Sequence, residues 1–399
     1  MSRKPRVLRI INRLNLGGPT YNVAYLTKYM RDFDTLLVSG MKDETEESSE
    51  FIVKDLGLEP KYIPEMQREL NPFRDYKSYF KLRKIISEFK PDIVHTHAAK
   101  AGAVGRLAAI HENVPVVVHT FHGHVFHSYF NSAKTQVFLN IERYLAKRTS
   151  KIVTLSPKQL DELTVEFKIA PKDKFQIVNL GFDLSRFTQN QAEKRADFRS
   201  KFQVEDDEIG IGIVGRLVPI KNHSLFLQAL KIVSQKSSKK IRAFIIGDGE
   251  LRSQVEAEAT ALEIPFSSIE DHKKTLLTFT SWIKDVSWCN AGLDIIALTS
   301  NNEGTPVSLI EAQAAGKFIV STKVGGIKDI VEVNKNAFLV EKENVNIFAE
   351  ALLKAVEDDI LRNNVLQQGS KETLNRFGYE RLCADMSKLY TQLLNVKNQ

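Results

Sequence analysis

Short apolar runs alternate with stretches of helical spacing along the chain, and polar loops separate them. Val7 to Ile11 is such a run near the start, and Ile209 to Val214 is another close to the middle of the 399 residues. Runs of this length predict buried parallel strands, and their alternation with helices predicts α/β domains. Because the composition turns polar between Thr188 and Glu193, we expect one domain over residues 1–190 and a second over residues 191–378.

The second half contains the clearest βαβ pattern. Asp294 to Leu298 predicts a strand, and Thr299 to Gly304 predicts a polar loop. Thr305 is a good N-cap, Pro306 suits the first helical position, and the helix is expected to run to about Ala315. The loop then lies at the carboxyl end of a strand, where open α/β sheets bind ligands.

Two carboxylates flank the start of this helix. Glu303 lies in the loop, and Glu311 is expected about two turns into the helix. The backbone N–H groups at about residues 304 to 307 have no helical acceptor, so with the helix dipole they form an anion site. A phosphate there would have a carboxylate on each side, and carboxylates accept hydrogen bonds from sugar hydroxyls. The unit therefore fits a nucleoside diphosphate sugar, although an isolated pair of glutamates at this spacing is usually only a solvated loop residue and a helix-surface charge.

The motif Glu303-Gly304-x-Pro306 through Glu311-Ala312-x-Ala314-x-Gly316, followed by Gly325-Gly326, resembles the signature of the retaining glycosyltransferases of family GT4. The resemblance covers nearly the whole chain. It implies an α/β protein of the GT-B fold, with two Rossmann-like domains facing across a cleft. The N-terminal domain would be on the acceptor side, the C-terminal domain would bind the nucleotide sugar, and the last helix, residues 379–399, would pack back on the first domain.

The family also implies roles for individual residues. Gly215-Arg216-x4-Lys221 matches the pattern in which an Arg and a Lys hold the donor diphosphate, and cations suit a leaving group that gains negative charge. The implied catalytic residues are His122, Arg216, Lys221 and Glu303. The implied donor-binding residues are Gly17, Gly18, Gly215, Gly247, Trp282, Gly304, Thr305, Pro306, Val307 and Glu311. Many family members have a glycine near Ser281 or Trp282, so the preference for a base is open here.

Seven of the nine histidines lie between residues 95 and 127, which raises the question of a metal site. Their spacings carry no cysteine or partnering carboxylate, and the resemblance instead places His122 against the donor sugar. His95-Thr96-His97 matches a run seen in bacterial surface-polysaccharide transferases of the family. We expect no metal and no other cofactor, because Arg216, Lys221 and a helix N-terminus would do the electrostatic work.

Charge is divided unevenly between the halves. Residues 1–190 hold 29 Lys and Arg against 21 Asp and Glu, a net charge of +8, whereas residues 191–399 hold 27 against 28. That excess favours an anionic partner for the first half. The basic and aromatic helix Asn71 to Phe89 and the apolar loop Val125 to Phe130 fit an anionic membrane surface and a lipid-linked acceptor. No apolar run approaches the ~20 residues of a membrane span, and two cysteines suit a reducing cytosol. The expected location is therefore cytoplasmic, at the inner face of the cell membrane.

Together these patterns predict a retaining, metal-independent glycosyltransferase. It would move a sugar from a nucleotide sugar, UDP rather than GDP, to a hydroxyl of a glycan or of a polyprenyl-diphosphate-linked sugar. The alternatives are another GT-B enzyme, such as a nucleotide-sugar epimerase or a sugar-phosphate synthase, and an inactive nucleotide-sugar-binding scaffold. The first glycine loop is not G-x-G-x-x-G and no Walker A motif occurs, which disfavours a dehydrogenase or a P-loop enzyme. No nucleic-acid-binding module is recognisable.

Overall fold

The structure of the protein is a computed structural model. It describes residues 3–14, 18–41, 50–67, 69, 71–122, 132–271 and 273–397, with the side chains of these ranges except 132–134 and 367–370. Contacts between Cα atoms divide the chain into two units. Unit 1 holds Met1–Phe182 and Phe377–Gln399, and unit 2 holds Asp183–Arg376. The boundary expected from the sequence, at residue 190, lies a short way further along the chain.

Unit 1 is built on a seven-stranded parallel sheet within the described residues. Its strands are β1 (Arg6–Ile11), β2 (Asp34–Gly40), β3 (Lys61–Ile63), β4 (Ile93–His97), β5 (Val116–Thr120), β6 (Lys151–Thr154) and β7 (Phe175–Ile177). Their order in the sheet is β3-β2-β1-β4-β5-β6-β7. The helices between them are α1 (Gly18–Tyr29), α2 (Glu50–Asp55), α3 (Pro72–Phe89), α4 (Ala99–His111), α5 (Ser132–Arg148) and α6 (Pro157–Asp161). The strand expected near the start of the chain is confirmed as β1.

Apolar side chains of this sheet face both of its sides. Val7, Val116 and Val118 belong to a core that includes residues of α1, whereas Leu8 and Val94 pack with residues of α3 and α4 on the other side. Successive side chains of a strand point to opposite faces, so a strand buried on both faces must be apolar at nearly every position. This is why the strands were visible as continuous apolar runs.

Local signals explain the ends of α3. The Asn71 side-chain oxygen accepts hydrogen bonds from the N–H groups of Phe73 and Arg74, both at 3.1 Å. Pro72 takes the first helical position, where its missing N–H costs nothing. Lys90, just past the last turn, is in the left-handed region at φ 50°. The helix predicted from Asn71 to Phe89 is confirmed to within one residue.

Unit 2 repeats the architecture with a different strand order. Its strands are β8 (Glu208–Val214), β9 (Lys240–Ile246), β10 (Phe266–Ser268), β11 (Leu277–Ser281), β12 (Ile295–Leu298), β13 (Phe318–Thr322) and β14 (Ala337–Val340). They lie in the order β10-β11-β9-β8-β12-β13-β14, and the pairings are parallel. The helices are α7 (Gln191–Lys201), α8 (His223–Lys236), α9 (Arg252–Ala261), α10 (Val286–Gly292), α11 (Val307–Ala314), α12 (Val345–Glu357) and α13 (Asp359–Phe377).

The last helix, α14 (Tyr379–Lys397), belongs to unit 1 and is anchored there by a buried polar network. An Arg9 nitrogen donates to the Tyr390 hydroxyl at 3.3 Å, and that hydroxyl lies 2.6 Å from Nδ1 of His95. Because arginine can only donate, the tyrosine proton is left for His95, whose Nε2 then donates to the Thr120 hydroxyl at 2.7 Å. The network ties α14 to β1, β4 and β5.

None of the described helices is long and apolar enough to cross a membrane.

A buried ion pair joins α4 to α5, and it makes unit 1 sensitive to mutation. Arg106 is fully buried and donates to Glu142 at 2.6 Å. We expect Glu142→Ala to lower the free energy of unfolding by about 3–5 kcal/mol, because it leaves a buried charge without its partner. Replacing Arg106 and Glu142 together by Met and Leu should cost far less. Urea unfolding followed by circular dichroism measures the stability of both variants. Tryptophan fluorescence does not serve here, because Trp282 and Trp288 lie in unit 2 and the mutated pair lies in unit 1.

Glu112→Ala is the matched control for this prediction. Glu112 pairs with Arg83 at 2.5 Å, but the two side chains are 22% and 38% exposed, so losing the pair should cost about 1 kcal/mol or less. A loss for Glu142→Ala no larger than that of the control would show that the buried pair does not stabilise the packing of α4 on α5.

Candidate active site

The candidate site of unit 2 lies where the strand order reverses. β8 is the first strand of the unit, yet it lies between β9 and β12. Its carboxyl-end loop therefore meets the loop that follows β12. The N–H of Asn301 donates to the Ile220 carbonyl at 2.8 Å, and the Thr299 hydroxyl donates to the Lys221 carbonyl at 3.0 Å. Ligands of open α/β sheets bind at such a reversal.

The meeting of the two loops pairs Lys221 with Glu303. Lys221 Nζ donates to Glu303 Oε1 at 2.5 Å, and the Ser300 hydroxyl donates to the same oxygen at 2.7 Å. The side chains of Lys221 and Glu303 are 21% and 13% exposed, so water screens the pair only partly. Two predicted site residues, 82 positions apart in the sequence, are thereby brought into direct contact.

Two glycines after β13 allow the Glu303 loop to lie where it does. Gly325 has φ +55°, and a Cβ atom there would lie 1.7 Å from the Glu303 carbonyl oxygen. At Gly326 a Cβ atom would lie 2.2 Å from the Gly304 carbonyl oxygen. The Gly326 N–H donates to the Glu303 carbonyl at 3.1 Å. The Gly-Gly pair therefore holds the carboxylate loop by backbone contact.

The start of α11 differs from the sequence-based expectation. Pro306, at φ −71° and ψ 109°, is the N-cap, and the first helical residue is Val307. The prediction of Thr305 as N-cap was wrong, and no side chain caps this helix. Between described residues, no hydrogen bond uses the N–H group of Gly304, Thr305 or Val307. These groups remain available to an anion, although Pro306 itself supplies no donor.

Gly215 and Arg216 directly follow β8, and Gly247 directly follows the neighbouring strand β9. Gly247, at φ +134°, lies so close to the first loop that a Cβ atom would be 2.1 Å from the Gly215 carbonyl oxygen. The Gly215 N–H donates to the Ile246 carbonyl at 3.0 Å. Arg216 is exposed. It forms no ion pair with another residue of the described chain, so its charge is free to meet a ligand.

The loop after β11 carries Trp282. Ser281 is in the left-handed region at φ +57°, a conformation that glycine adopts more easily. Its hydroxyl donates to Asp248 at 2.7 Å, and its carbonyl accepts from the Gly247 N–H at 3.0 Å. Trp282 is 48% exposed. The serine therefore keeps a turn at which many family members are expected to have a glycine.

Glu311 lies one turn into α11, rather than two, and faces a residue that the sequence analysis missed. An Arg186 nitrogen donates to Glu311 Oε1 at 3.3 Å, and both residues belong to unit 2. Burial raises the pKa of the Glu311 carboxyl to about 7, and the Arg186 charge partly offsets that rise. Arg186 is a single cation in a 3-10 turn before α7, and no spacing in the sequence linked it to α11.

The predicted site residues of unit 1 are Gly17, Gly18 and His122. Gly18 begins α1, whereas Gly17 lies outside the described residues. His122 follows β5, and its Nε2 is 2.9 Å from Nδ1 of the buried His97. Burial lowers the pKa of His122 to about 3. Both rings are therefore neutral at physiological pH, and one nitrogen of the pair carries the shared proton.

Nδ1 of His122 is buried and has no partner among the described residues. His97 thus fixes the His122 ring through one nitrogen and leaves the other for a ligand. The apolar loop predicted at Val125 to Phe130 lies outside the described residues.

Comparison with known proteins identifies relatives over most of the chain. Residues 194–372 match the model of the family "Glycosyl transferases group 1", and residues 17–186 match the model of "Glycosyltransferase Family 4". A curated relative from Escherichia coli, UDP-Gal:alpha-D-GlcNAc-diphosphoundecaprenol alpha-1,3-galactosyltransferase, is 28% identical over 84% of each chain. The capsular polysaccharide biosynthesis glycosyltransferase CapM of Staphylococcus aureus is 24% identical over 86% of this chain and 87% of its own.

Solved structures show the fold. The crystal structure of Anabaena HepE in complex with UDP superposes with a TM-score of 0.79 at 18% identity, covering 97% of this chain and 100% of that one. The curated relatives are transferases, which does not favour the alternatives of an epimerase, a sugar-phosphate synthase or an inactive scaffold. The two parallel sheets are those of a two-domain GT-B fold. Because the two family models together match most of the chain, the protein belongs to glycosyltransferase family GT4 and groups there with the bacterial surface-polysaccharide transferases.

Proposed function

We propose that this glycosyltransferase moves a sugar from a uridine diphosphate sugar to a hydroxyl of a glycan or polyprenyl-diphosphate-linked acceptor, and that it retains the anomeric configuration. The Lys221–Glu303 pair beside the unused N–H groups of α11 is the observation that carries this proposal. The E. coli relative, by its name, uses UDP-Gal and a diphosphoundecaprenol acceptor, and the Anabaena structure contains UDP. Both support a uridine nucleotide and a lipid-linked acceptor here.

The diphosphate would lie between Arg216, Lys221 and the start of α11. Lys221 pairs with Glu303 at 2.5 Å. A diphosphate carries more negative charge than one carboxylate, so it would compete for Lys221 and draw it away. The N–H groups of Gly304, Thr305 and Val307 add donors and the positive end of the helix dipole. These cations and donors would stabilise the leaving group without a divalent metal.

Loss of the Lys221 contact would leave the Glu303 carboxylate free to bind the donor sugar. That carboxylate would then accept hydrogen bonds from hydroxyls of the donor sugar, while the Ser300 hydroxyl keeps it oriented. Glu311 would accept hydrogen bonds from the ribose hydroxyls, and the Arg186 charge would favour its ionised form. The exposed Trp282 and the backbone at Ser281 would contact the base. We propose that His122, oriented by His97, contacts the transferred sugar.

The chemical step needs no protein base in this arrangement. The bond from the anomeric carbon to the phosphate oxygen breaks, and the bond to the acceptor oxygen forms on the same face of the sugar. The acceptor proton passes to the departing phosphate oxygen. Arg216, Lys221 and the α11 N-terminus stabilise the charge that remains on the diphosphate. UDP-galactose carries its sugar in an α linkage, so the α-1,3 product named for the E. coli relative supports retention.

We also propose that unit 1 contacts an anionic membrane at the inner face of the cell membrane. A lipid-linked acceptor is held in that membrane, so an enzyme bound to the surface meets it more often. The positive charge of the first half and the exposed aromatic side chains of α3, with Phe73 83% and Tyr76 65% exposed, support such contact.

Lys221→Ala tests the diphosphate site. It should lower kcat/KM by about 10²–10³, the usual loss when one donor to a developing oxyanion is removed. The fold should persist, because the lysine is partly exposed. Lys240→Ala is the matched control, since Lys240 lies at the amino end of β9 and pairs with Asp207. Initial rates with a UDP-sugar decide the matter, and near-normal turnover of Lys221→Ala would remove it from the site.

Arg186→Gln tests the ribose site through pH. If the Glu311 carboxylate holds the ribose, affinity is lost as the pH falls through its pKa of about 7. Without Arg186 that pKa rises, so the pH at which affinity is lost should move upward, with near-normal binding recovered at higher pH. Calorimetric titration with uridine measures how this affinity depends on pH. Uridine is used because, unlike UDP, it has no phosphate group that would itself ionise.

Glu311→Gln is the control for this pH experiment. It cannot ionise, so uridine binding should be weak and independent of pH across the neutral range. An Arg186→Gln protein with the same pH profile as the unmodified protein would contradict the assignment.

The anomeric configuration of the product tests the mechanism. An α-linked UDP-sugar should give an α-linked product, and a chelator of divalent metals should leave the rate unchanged. His122→Ala should impair transfer strongly while UDP still binds nearly normally, because the nucleotide contacts proposed above all come from unit 2. NMR of the new anomeric centre gives the answer. A β-linked product from an α-linked donor would refute retention and make His122 the candidate general base.

A further inference from the structure

Four cations that form no ion pairs with other described residues surround a groove on unit 1. They are Lys147 and Arg148 at the end of α5, Lys174 before β7 and Lys397 at the end of α14. The groove has a volume of about 590 Å³, which lies within the range of small-molecule sites. No ion pair between described residues uses any of the four cations. We call the groove lined by these four cations the basic groove.

Helix ends alone do not account for this charge. Three helices, α4, α5 and α14, end at the basic groove. Lysine and arginine are common at helix ends because they balance a partial negative charge of about half a unit at each. Three such ends offset only about 1.5 of the four positive charges. The basic groove therefore keeps a net positive charge that a bound anion would balance.

An exposed apolar stripe on α5 leads into the basic groove. Val137, Ile141 and Tyr144 lie at helical spacing on one side of the helix and are 58%, 41% and 46% exposed. The Arg148 guanidinium lies 4.2 Å from the centre of the Tyr144 ring, which joins the stripe to the cations. Apolar side chains beside unpaired cations match the layers of a membrane surface, where acyl chains meet charged headgroups.

The stripe and the basic groove are separate from the proposed sugar contact. Lys174 precedes β7, and Pro115, which also lines the groove, precedes β5. The groove therefore lies at the amino ends of these strands, whereas His122 follows the carboxyl end of β5. A ligand in the groove would not occupy the place of the transferred sugar.

Helix α3, predicted from the sequence to contact the membrane, has fewer free cations. Lys81 pairs with Glu65 at 2.6 Å, Arg83 pairs with Glu112 at 2.5 Å, and Lys84 lies 3.8 Å from Glu88. Each of these carboxylates cancels charge that an anionic lipid would otherwise attract. The aromatic side chains of α3 remain exposed, but carboxylates pair with three of its basic side chains.

We propose that the basic groove, together with the exposed stripe of α5, binds the phosphate headgroups of an anionic phospholipid membrane. Lys147, Arg148, Lys174 and Lys397 donate hydrogen bonds and charge to lipid phosphates. Val137, Ile141 and Tyr144 enter the boundary between headgroups and acyl chains. This surface identifies the side of unit 1, along α5, that contacts the lipid, and it rests on the membrane contact proposed above.

The test compares two variants with equal loss of charge. The full chain is sedimented with vesicles of phosphatidylcholine alone, or mixed with an equal amount of phosphatidylglycerol. Each basic residue near an anionic surface contributes about a fivefold gain in binding, so the double variant Lys147→Gln/Arg148→Gln should bind mixed vesicles about 25-fold more weakly. The control Lys77→Gln/Lys84→Gln on α3 should lose much less. Binding should also weaken as salt rises.

Three results would overturn the proposal. One is an equal or greater loss for the α3 variant, which would assign the binding to the overall charge or to α3. The second is unchanged binding of the Lys147→Gln/Arg148→Gln protein. The third is failure of the unmodified chain to prefer mixed vesicles. Circular dichroism confirms that each variant is folded. No donor or acceptor is present in the assay, so its failure leaves the transferase proposal untouched, and UDP binding by the same proteins tests that proposal separately.

Discussion

The position of β8 between β9 and β12 determines the chemistry of unit 2. Parallel strands end at the same edge of a sheet, and a reversal in strand order opens a space between neighbouring loops. Here that reversal brings Lys221 of one loop to Glu303 of the other at 2.5 Å. The α11 N-terminus follows the second loop, so a cation, a carboxylate and free N–H groups come together. In a sheet where β8 and β12 were not neighbours, the same residues would lie apart along that edge.

Close backbone packing keeps these loops in place. Gly325 and Gly326 press against the carbonyl groups of Glu303 and Gly304, and Gly247 presses against that of Gly215. Any side chain at these glycines would push a loop away from the strand reversal. Two layers of constraint therefore act on Glu303: backbone contact sets the path of its loop, and Lys221 and Ser300 set the direction of its carboxylate. A diphosphate that draws Lys221 away changes the second constraint and leaves the first intact.

The sequence was informative where structure is local. Continuous apolar runs predicted strands such as β1, and the basic and aromatic helix expected from Asn71 to Phe89 is found as α3. Thr305 failed as an N-cap because Pro306 takes an extended ψ of 109° and becomes the cap itself. The contacts of Lys221 with Glu303 and of Arg186 with Glu311 depend on tertiary packing over 82 and 125 positions, so no local pattern could reveal them. The basic groove was hidden for the same reason, since its cations come from three separate parts of the chain.

Burial shifts the pKa values of the candidate site residues in opposite directions. Histidine normally titrates near neutrality, but burial lowers the pKa of His122 to about 3 and holds that of His97 well below its ordinary value. Glu311 moves the other way, to about 7. Because its pKa is raised by folding, ionisation of Glu311 opposes folding as the pH rises from about 4.5 to 7, at a cost of about 3 kcal/mol. Ribose binding requires that same ionised form, so stability and function place opposite demands on one carboxyl group. Arg186 relieves both demands, since its charge favours the carboxylate that the ribose hydroxyls would meet.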